Sequence, residues 1–317
     1  MKALVTGAAG FIGSHMAERL LDDGATVVGV DGFTGYYARA EKERNLASLT
    51  TRQGFRFVEA MLDTADVAAL LDEITHVFHL AAEPGAGKSW GRRFDVYTRN
   101  NIVATQALLE ACIDRPVERF VFASSSSVYG DDAVLPMRED ARARPVSPYG
   151  VTKLAAEQLC HLYHVSYSVP TVALRYFTVY GPRQRPDMGF RRFFEAAMRD
   201  EAVTVYGDGL QTRDFTYVAD VVSATAAAAT RGRPGAVYNV GGGARVELLD
   251  VVELIRRITR RPVRVERTAP RRGDMRDTYA DTTRARVDLA FAPMATLEQG
   301  LRAQFDWMTQ AGLFERA

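Results

Sequence analysis

A hydrophobic run at residues 3–6 breaks directly into Gly7-Ala-Ala-Gly10-Phe-Ile-Gly13, and an amphipathic stretch follows as far as Asp22. Glycines at this spacing let the chain turn tightly, and they let a pyrophosphate approach backbone N–H groups at a helix N-terminus. The same alternation then recurs. Val/Ile/Phe-rich runs at 26–30, 55–59, 76–80, 119–123 and 171–175 are separated by helical patterns at 11–22, 65–71, 96–113 and 149–165. Strands and helices in that order predict an α/β fold, a Rossmann-type doubly wound parallel sheet covered by helices on both faces, over residues 1–175. After Tyr176, prolines 182 and 186 and several Gly and Arg residues loosen the pattern, and clear helices return at 190–199, 218–230 and 248–259. Residues 176–317 are therefore expected to form mainly a smaller α/β substrate-binding domain, with room for the chain to cross back into the first. Ligands on such sheets bind at the carboxyl ends of the strands, so the cleft between the two domains is the expected site.

Asp31 closes the second strand 18 residues after Gly13. A carboxylate there accepts hydrogen bonds from adenosine ribose hydroxyls and repels a ribose phosphate, which favours NAD over NADP. The remaining composition excludes more than it suggests. Apolar residues make up 47% of the 317, charged residues 25%, and the net charge is +1, so nothing argues for nucleic acid or an anionic membrane as a partner. The most apolar window, 221–229, is too short and alanine-rich to span a bilayer. The first residues enter a strand at once, leaving no room for a signal peptide, and Cys112 and Cys160 read as buried free thiols of a cytoplasmic protein. His15, His76, His79, His161 and His164 form no zinc spacing, so no metal is expected.

Tyr149-Gly-Val-Thr-Lys153 opens a helix, so Tyr149 and Lys153 project from one face. A tyrosine of ordinary pKa is a poor base at neutral pH. A lysine ammonium beside it, with the positive nicotinamide of an oxidised cofactor, would favour the phenolate and make a base for a sugar hydroxyl. A solvated pair on an amphipathic helix has the same spacing. The order of features decides against that: glycine loop, Asp31, a strand 119–123 ending in four serines, then Tyr149 and Lys153. Of those serines, Ser124 reads as structural, and Ser125 as a hydroxyl bridging a substrate oxygen and Tyr149.

Four motifs, T-G-x-x-G-F-I-G at 6–13, H-L-A-A at 79–82, S-x-Y-G-x-x-K at 147–153 and R-D-F-x-x-V-x-D at 213–220, run in order along nearly the whole chain. In this combination the sequence resembles the extended short-chain dehydrogenases/reductases, the nucleotide-sugar epimerases and dehydratases. The resemblance implies a tightly held NAD, a Ser125/Tyr149/Lys153 triad and a homodimer built from two helices per subunit. It implies a cofactor site of Gly7, Gly10, Phe11, Ile12, Gly13, Asp31, Leu62, Leu80, Ala81, Ala82, Asn101 and Tyr176, with Tyr149 and Lys153. Met61 stands where relatives usually carry an aspartate for the adenine, with Asp63 two residues on. On the UDP-sugar side it implies Thr178, Gly189, Tyr206, Arg213, Arg271 and Asp274.

Ser126-Ser127 narrows the reaction. Dehydratases of the family carry Asp-Glu at these positions, because eliminating water needs an acid and a base, and UDP-glucuronate decarboxylases carry a glutamate at the second. Serine hydroxyls hydrogen-bond but do not titrate near neutrality. Epimerisation needs only oxidation, rotation of the sugar and reduction from the other face. The segment 175–188, including Thr178 where galactose epimerases usually show asparagine, most resembles UDP-glucuronic acid 4-epimerases. Hydroxyls of Ser126, Ser127 and Thr178 would there hold the sugar carboxylate. The loop Pro84-Gly-Ala-Gly-Lys88 departs from the arginine usual in that group, so its charge falls to Lys88 or to Arg185. The alternatives are a 4-epimerase of a neutral UDP-hexose, a UDP-glucuronate decarboxylase, and, outside enzymes, a redox-sensing NAD-binding protein.

Overall fold

The computed structural model describes residues 1–314. The chain runs β1 (Lys2–Thr6), α1 (Phe11–Asp22), β2 (Thr26–Asp31), α2 (Arg39–Leu46), β3 (Phe55–Glu59), α3 (Val67–Leu70), β4 (His76–His79), α4 (Phe94–Tyr97), α5 (Ala104–Ala111), β5 (Arg119–Ser125), α6 (Pro148–Tyr167) and β6 (Thr171–Tyr176). It continues as β7 (Val179–Tyr180), α7 (Gly189–Arg199), β8 (Ala202–Tyr206), β9 (Thr212–Asp214), β10 (Thr216–Tyr217), α8 (Val218–Arg231), β11 (Val237–Val240), β12 (Arg245–Glu247), α9 (Leu248–Thr259), β13 (Arg264–Thr268), α10 (Thr283–Leu289) and α11 (Leu297–Gln310).

Seven strands form one parallel sheet in the order β11-β6-β5-β4-β1-β2-β3. The order reverses between β1 and β4, which opens a crevice beyond their carboxyl ends, the usual ligand position on such sheets. β1, β5 and β6 are buried almost throughout, as strands covered on both faces must be. One face packs Leu20 of α1, Val221 and Ala228 of α8 and Leu289 of α10. The other packs Leu108 of α5 and Ala156 and Tyr163 of α6. A separate core of Phe190, Phe193, Phe194, Val203, Val251, Ile255, Leu301 and Met308 holds α7, α9, α11 and the pair β8–β13 together.

Three features depart from the sequence pattern. The seventh strand, β11, returns from the second half to pair with β6. α2, with the sequence RAEKERNL, carries no apolar period and is held by its charges instead: Lys42 to Asp31 at 3.0 Å and Glu41 to Arg191 at 2.9 Å. The helix expected over 96–113 contains a wider π turn at Thr98–Val103 between α4 and α5. Such turns often mark functional sites. Here the turn carries Asn101, whose Oδ1 accepts from Glu83 N–H at 2.7 Å and whose Nδ2 donates to Glu83 C=O at 3.1 Å and to Thr152 Oγ1 at 2.9 Å.

Candidate active site

The carboxyl ends of β1, β2, β4, β5 and β6 border a cleft of about 760 Å³ closed on its far side by residues 185–189, Tyr206 and the turn at 271–274. At one end α1 begins just after Gly10, and no side chain caps its first turn, so these N–H groups are free to meet an anion. A Cβ at Gly13 would overlap the Gly7 carbonyl, so only glycine lets helix and turn meet this closely. Asp31 receives Phe33 N–H at 2.8 Å and Lys42 Nζ at 3.0 Å, both on Oδ1, which leaves Oδ2 for a ribose. Phe11, Ile12, Leu62, Leu80, Ala81, Ala82 and Tyr176 complete a wall suited to a dinucleotide. Met61 also lines it, packed against Gly32, whereas Asp63 does not. An uncapped helix N-terminus, a half-free carboxylate and an apolar slot fit NAD.

The middle of the cleft carries the hydroxyls. β5 ends at Ser125, and Ser126–Val128 make a tight turn. Ser124 points into the interior and donates to Glu157 Oε2 at 2.6 Å, beside the Arg175–Glu157 ion pair. Ser125 Oγ accepts Ser127 N–H at 3.1 Å. Helix α6, capped by Ser147 on Gly150 N–H at 3.1 Å, brings Tyr149 over this turn. Burial pushes the Tyr149 phenol above its ordinary range, while a hydrogen bond with Ser125 and the charge of Arg185 pull it back. One helical turn on, Lys153 is buried and its Nζ lies 4.4 Å from the centroid of the Phe122 ring. Burial pushes its ammonium down to about 8. Arg185 is thus a cation bearing on Tyr149 that spacing along the chain did not announce.

Arg185 is held in turn. Its Nε and a terminal nitrogen bond the two oxygens of Asp187 at 3.0 and 3.1 Å, and the Tyr36 hydroxyl donates to Asp187 at 3.2 Å. Lys88 Nζ lies 4.2 Å from the Tyr36 ring centroid, and Arg185 Cζ 5.7 Å from it. Both candidate cations therefore stand on one aromatic ring at the sugar end of the cleft. Ser126, Ser127, Thr178, Gly189, Tyr206, Arg271 and Asp274 line the same space.

Two expected residues are not in the lining. Asn101 spends its amide inside the protein, as described above. Arg213 donates to the carbonyls of Thr212 and Arg276 at 2.9 and 3.0 Å, in place between β9 and the 271–276 segment. Conversely, Thr34, Tyr36, Tyr37, Lys42, Asp187 and Arg192 line the cleft without having been expected. The pair Tyr36-Tyr37 shortly after Asp31 was the available signal. Among the described residues no cluster of His, Cys, Asp or Glu could hold a metal, and no helix is long and apolar enough to cross a membrane.

The profile of the NAD dependent epimerase/dehydratase family matches residues 3–241. The chain is 44% identical to an uncharacterized UDP-glucose epimerase, YtcB, of Bacillus subtilis over 98% of both sequences. It is 35% identical to a probable UDP-glucuronate 4-epimerase of Rhizobium meliloti over 98% of this chain and 97% of that one. Among solved structures, a UDP-glucuronic acid 4-epimerase from Bacillus cereus in complex with UDP-glucuronic acid and NAD superposes with a TM-score of 0.96. It is 43% identical, over 98% of this chain and 100% of that one.

Proposed function

This chain belongs to the NAD dependent epimerase/dehydratase family, and from that premise we propose that it is a UDP-glucuronic acid 4-epimerase, interconverting UDP-glucuronate and UDP-galacturonate. The observation that carries the reading is the hydroxyl-only wall of Ser126, Ser127 and Thr178 in the same cleft as Tyr149 and Lys153. NAD, when bound, supplies the oxidation of sugar carbon 4 and the reduction that reverses it. Tyr149 takes the proton of the 4-hydroxyl and gives it back, with Ser125 placing the oxygen. The oxidised sugar is a β-keto acid, which loses carbon dioxide when the carboxylate bond aligns with the carbonyl π system. Ser126, Ser127 and Thr178 hold the carboxylate out of that alignment with neutral donors, and no carboxylic acid on this wall is placed to protonate a leaving group.

Lys153 serves the cofactor ribose and the electrostatics around Tyr149, while Gly10–Gly13, Asp31 and the Leu80–Ala82 segment take the dinucleotide. Tyr206, Arg271 and Asp274 take the nucleotide, with Arg213 bracing the 271–276 segment that carries two of them. The protein works in the cytoplasm as a homodimer. Support for the dimer is an apolar stripe left open on α6 and beside α5, with Val151, Leu162, Val165 and Val103 exposed by 46, 52, 67 and 42%. Light scattering of the purified protein gives its mass directly, and a monomer at micromolar concentration removes this part of the reading.

The function is tested by incubating the holoenzyme with UDP-glucuronate and with UDP-glucose and resolving the products by sugar configuration. UDP-galacturonate is expected. Turnover of UDP-glucose alone would establish the neutral-hexose reading that the 44% relative's name suggests, and a UDP-pentose product would establish a decarboxylase. The Tyr149→Phe variant separates an enzyme from an NAD-binding regulator: it should keep NAD and lose about 10²-fold or more in kcat.

A further inference from the structure

Between Pro84 and Trp90 two glycines stand for different reasons. Gly85 has φ +88°, which itself favours glycine. Gly87 has no such backbone demand, yet a Cβ built on it would overlap the guanidinium group of Arg271. Arg271 reaches this loop from the opposite wall of the cleft, with its Cζ 5.6 Å from the Tyr206 ring centroid. Its turn is seated against the first domain: a Cβ at Gly273 would lie 3.2 Å from Ser147 Cβ and 3.3 Å from Trp90 Nε1, and Arg272 Cζ is 6.0 Å from the Trp90 ring centroid. The turn therefore rests on the cap of α6 and on Trp90, and the empty side-chain position at 87 is where its leading arginine goes.

We propose that Gly87 is the position that admits Arg271 to the cleft, so that its planar fork can bond the diphosphate oxygens of the nucleotide sugar. The inference rests on the UDP-sugar reading. Arg271 lies beside the carboxylate of Asp274, while Arg213 also faces Asp277 and Asp131, so Arg271 is the guanidinium of this pair that lines the cleft and can be offered to a diphosphate. The group that a larger residue 87 would meet is the end of a flexible side chain, so the fold absorbs the change and the arginine moves out.

The test uses NAD-loaded protein and calorimetric binding of UDP and of UDP-glucuronate. Gly87→Ala is expected to weaken both ligands equally, on the order of tenfold, as loss of one charge-assisted contact does, with NAD content unchanged. Arg271→Ala should weaken them to a similar degree. The double variant should be no weaker than Arg271→Ala alone, because both changes remove one contact. Binding by Gly87→Ala equal to that of the unaltered protein, or additive losses in the double variant, would overturn the proposal. A loss confined to UDP-glucuronate would overturn the assignment to the diphosphate. If the unaltered protein binds neither ligand, the UDP-sugar reading itself has failed.

Discussion

Lys153 directs its ammonium at the face of Phe122, 4.4 Å from the ring centroid. A ring face offers a cation only part of what water does, and burial accordingly lowers the lysine from 10.5 to about 8. Because the folded value lies below the unfolded one, this lysine stabilises fully only above pH 10.5, and that stability is lost as pH falls through about 8. At pH 7 it thus destabilises the empty protein. Lys153→Met should raise the urea unfolding free energy at pH 7 by up to about 3 kcal/mol while turnover collapses. A variant of unchanged or lower stability would mean that the ammonium is better solvated than its packing indicates.

The wall of hydroxyls should govern product partition more than rate. Ser127→Ala or Thr178→Ala removes a hydrogen bond to the sugar carboxylate, worth about 1.5–3 kcal/mol to a charged acceptor. The expected result is at least a tenfold rise in UDP-pentose relative to UDP-galacturonate, read by mass spectrometry. A lower kcat with no UDP-pentose would remove these residues from the carboxylate.

Asn101 is a structural tie, joining Glu83 to Thr152 on α6. Asn101→Ala leaves the buried Glu83 N–H and C=O without their side-chain partner, while Thr152 Oγ1 keeps only its bond to the Tyr149 carbonyl, and should cost about 2–4 kcal/mol in urea unfolding of the NAD-free protein. If that protein is unaffected and only NAD affinity falls, the side chain serves the cofactor directly.

His79 is fully buried between Thr6 Oγ1 at 2.8 Å and Thr105 Oγ1 at 2.9 Å, and burial pushes its pKa from 6.5 down to about 3. Below pH 6.5 the unfolded chain binds a proton there that the folded chain refuses, so acid destabilises the fold through this residue. Between pH 6 and 4, His79→Gln should show a shallower fall in unfolding free energy, by up to about 1.4 kcal/mol per pH unit. Equal slopes in the two proteins would show that His79 takes up a proton in the folded state.

Six of the seven sheet strands were legible because each is a short Val/Ile/Phe-rich run, and the glycine turn and Asp31 because strand and helix fix their places locally. What escaped depended on contacts distant in sequence. α2 has no apolar period, and it is held by contacts with Asp31, Arg191, Glu59 and the Ala9 carbonyl, none of them adjacent to it. Tyr36 meets Asp187 across 151 residues, so no local pattern announces that the two orient Arg185. Lys153 was legible as a site residue, but its direction was not, since helical spacing places Cβ atoms and leaves a long side chain free to turn toward Phe122.

The return of β11 to the edge of β6 has a practical meaning for anyone who would recombine this scaffold. The chain enters the segments that line the sugar end of the cleft after β6, leaves them for β11 and returns to them at Arg271, so it is stitched through its own sheet. A truncation near residue 176 would deprive the sheet of its last strand and leave β6 as a bare edge open to pairing with other molecules, and a chimera joined once there would set β6 against a strand from the other parent. Exchange of sugar preference between relatives should therefore need two separate grafts, on either side of residues 237–240, with that strand left to its original owner.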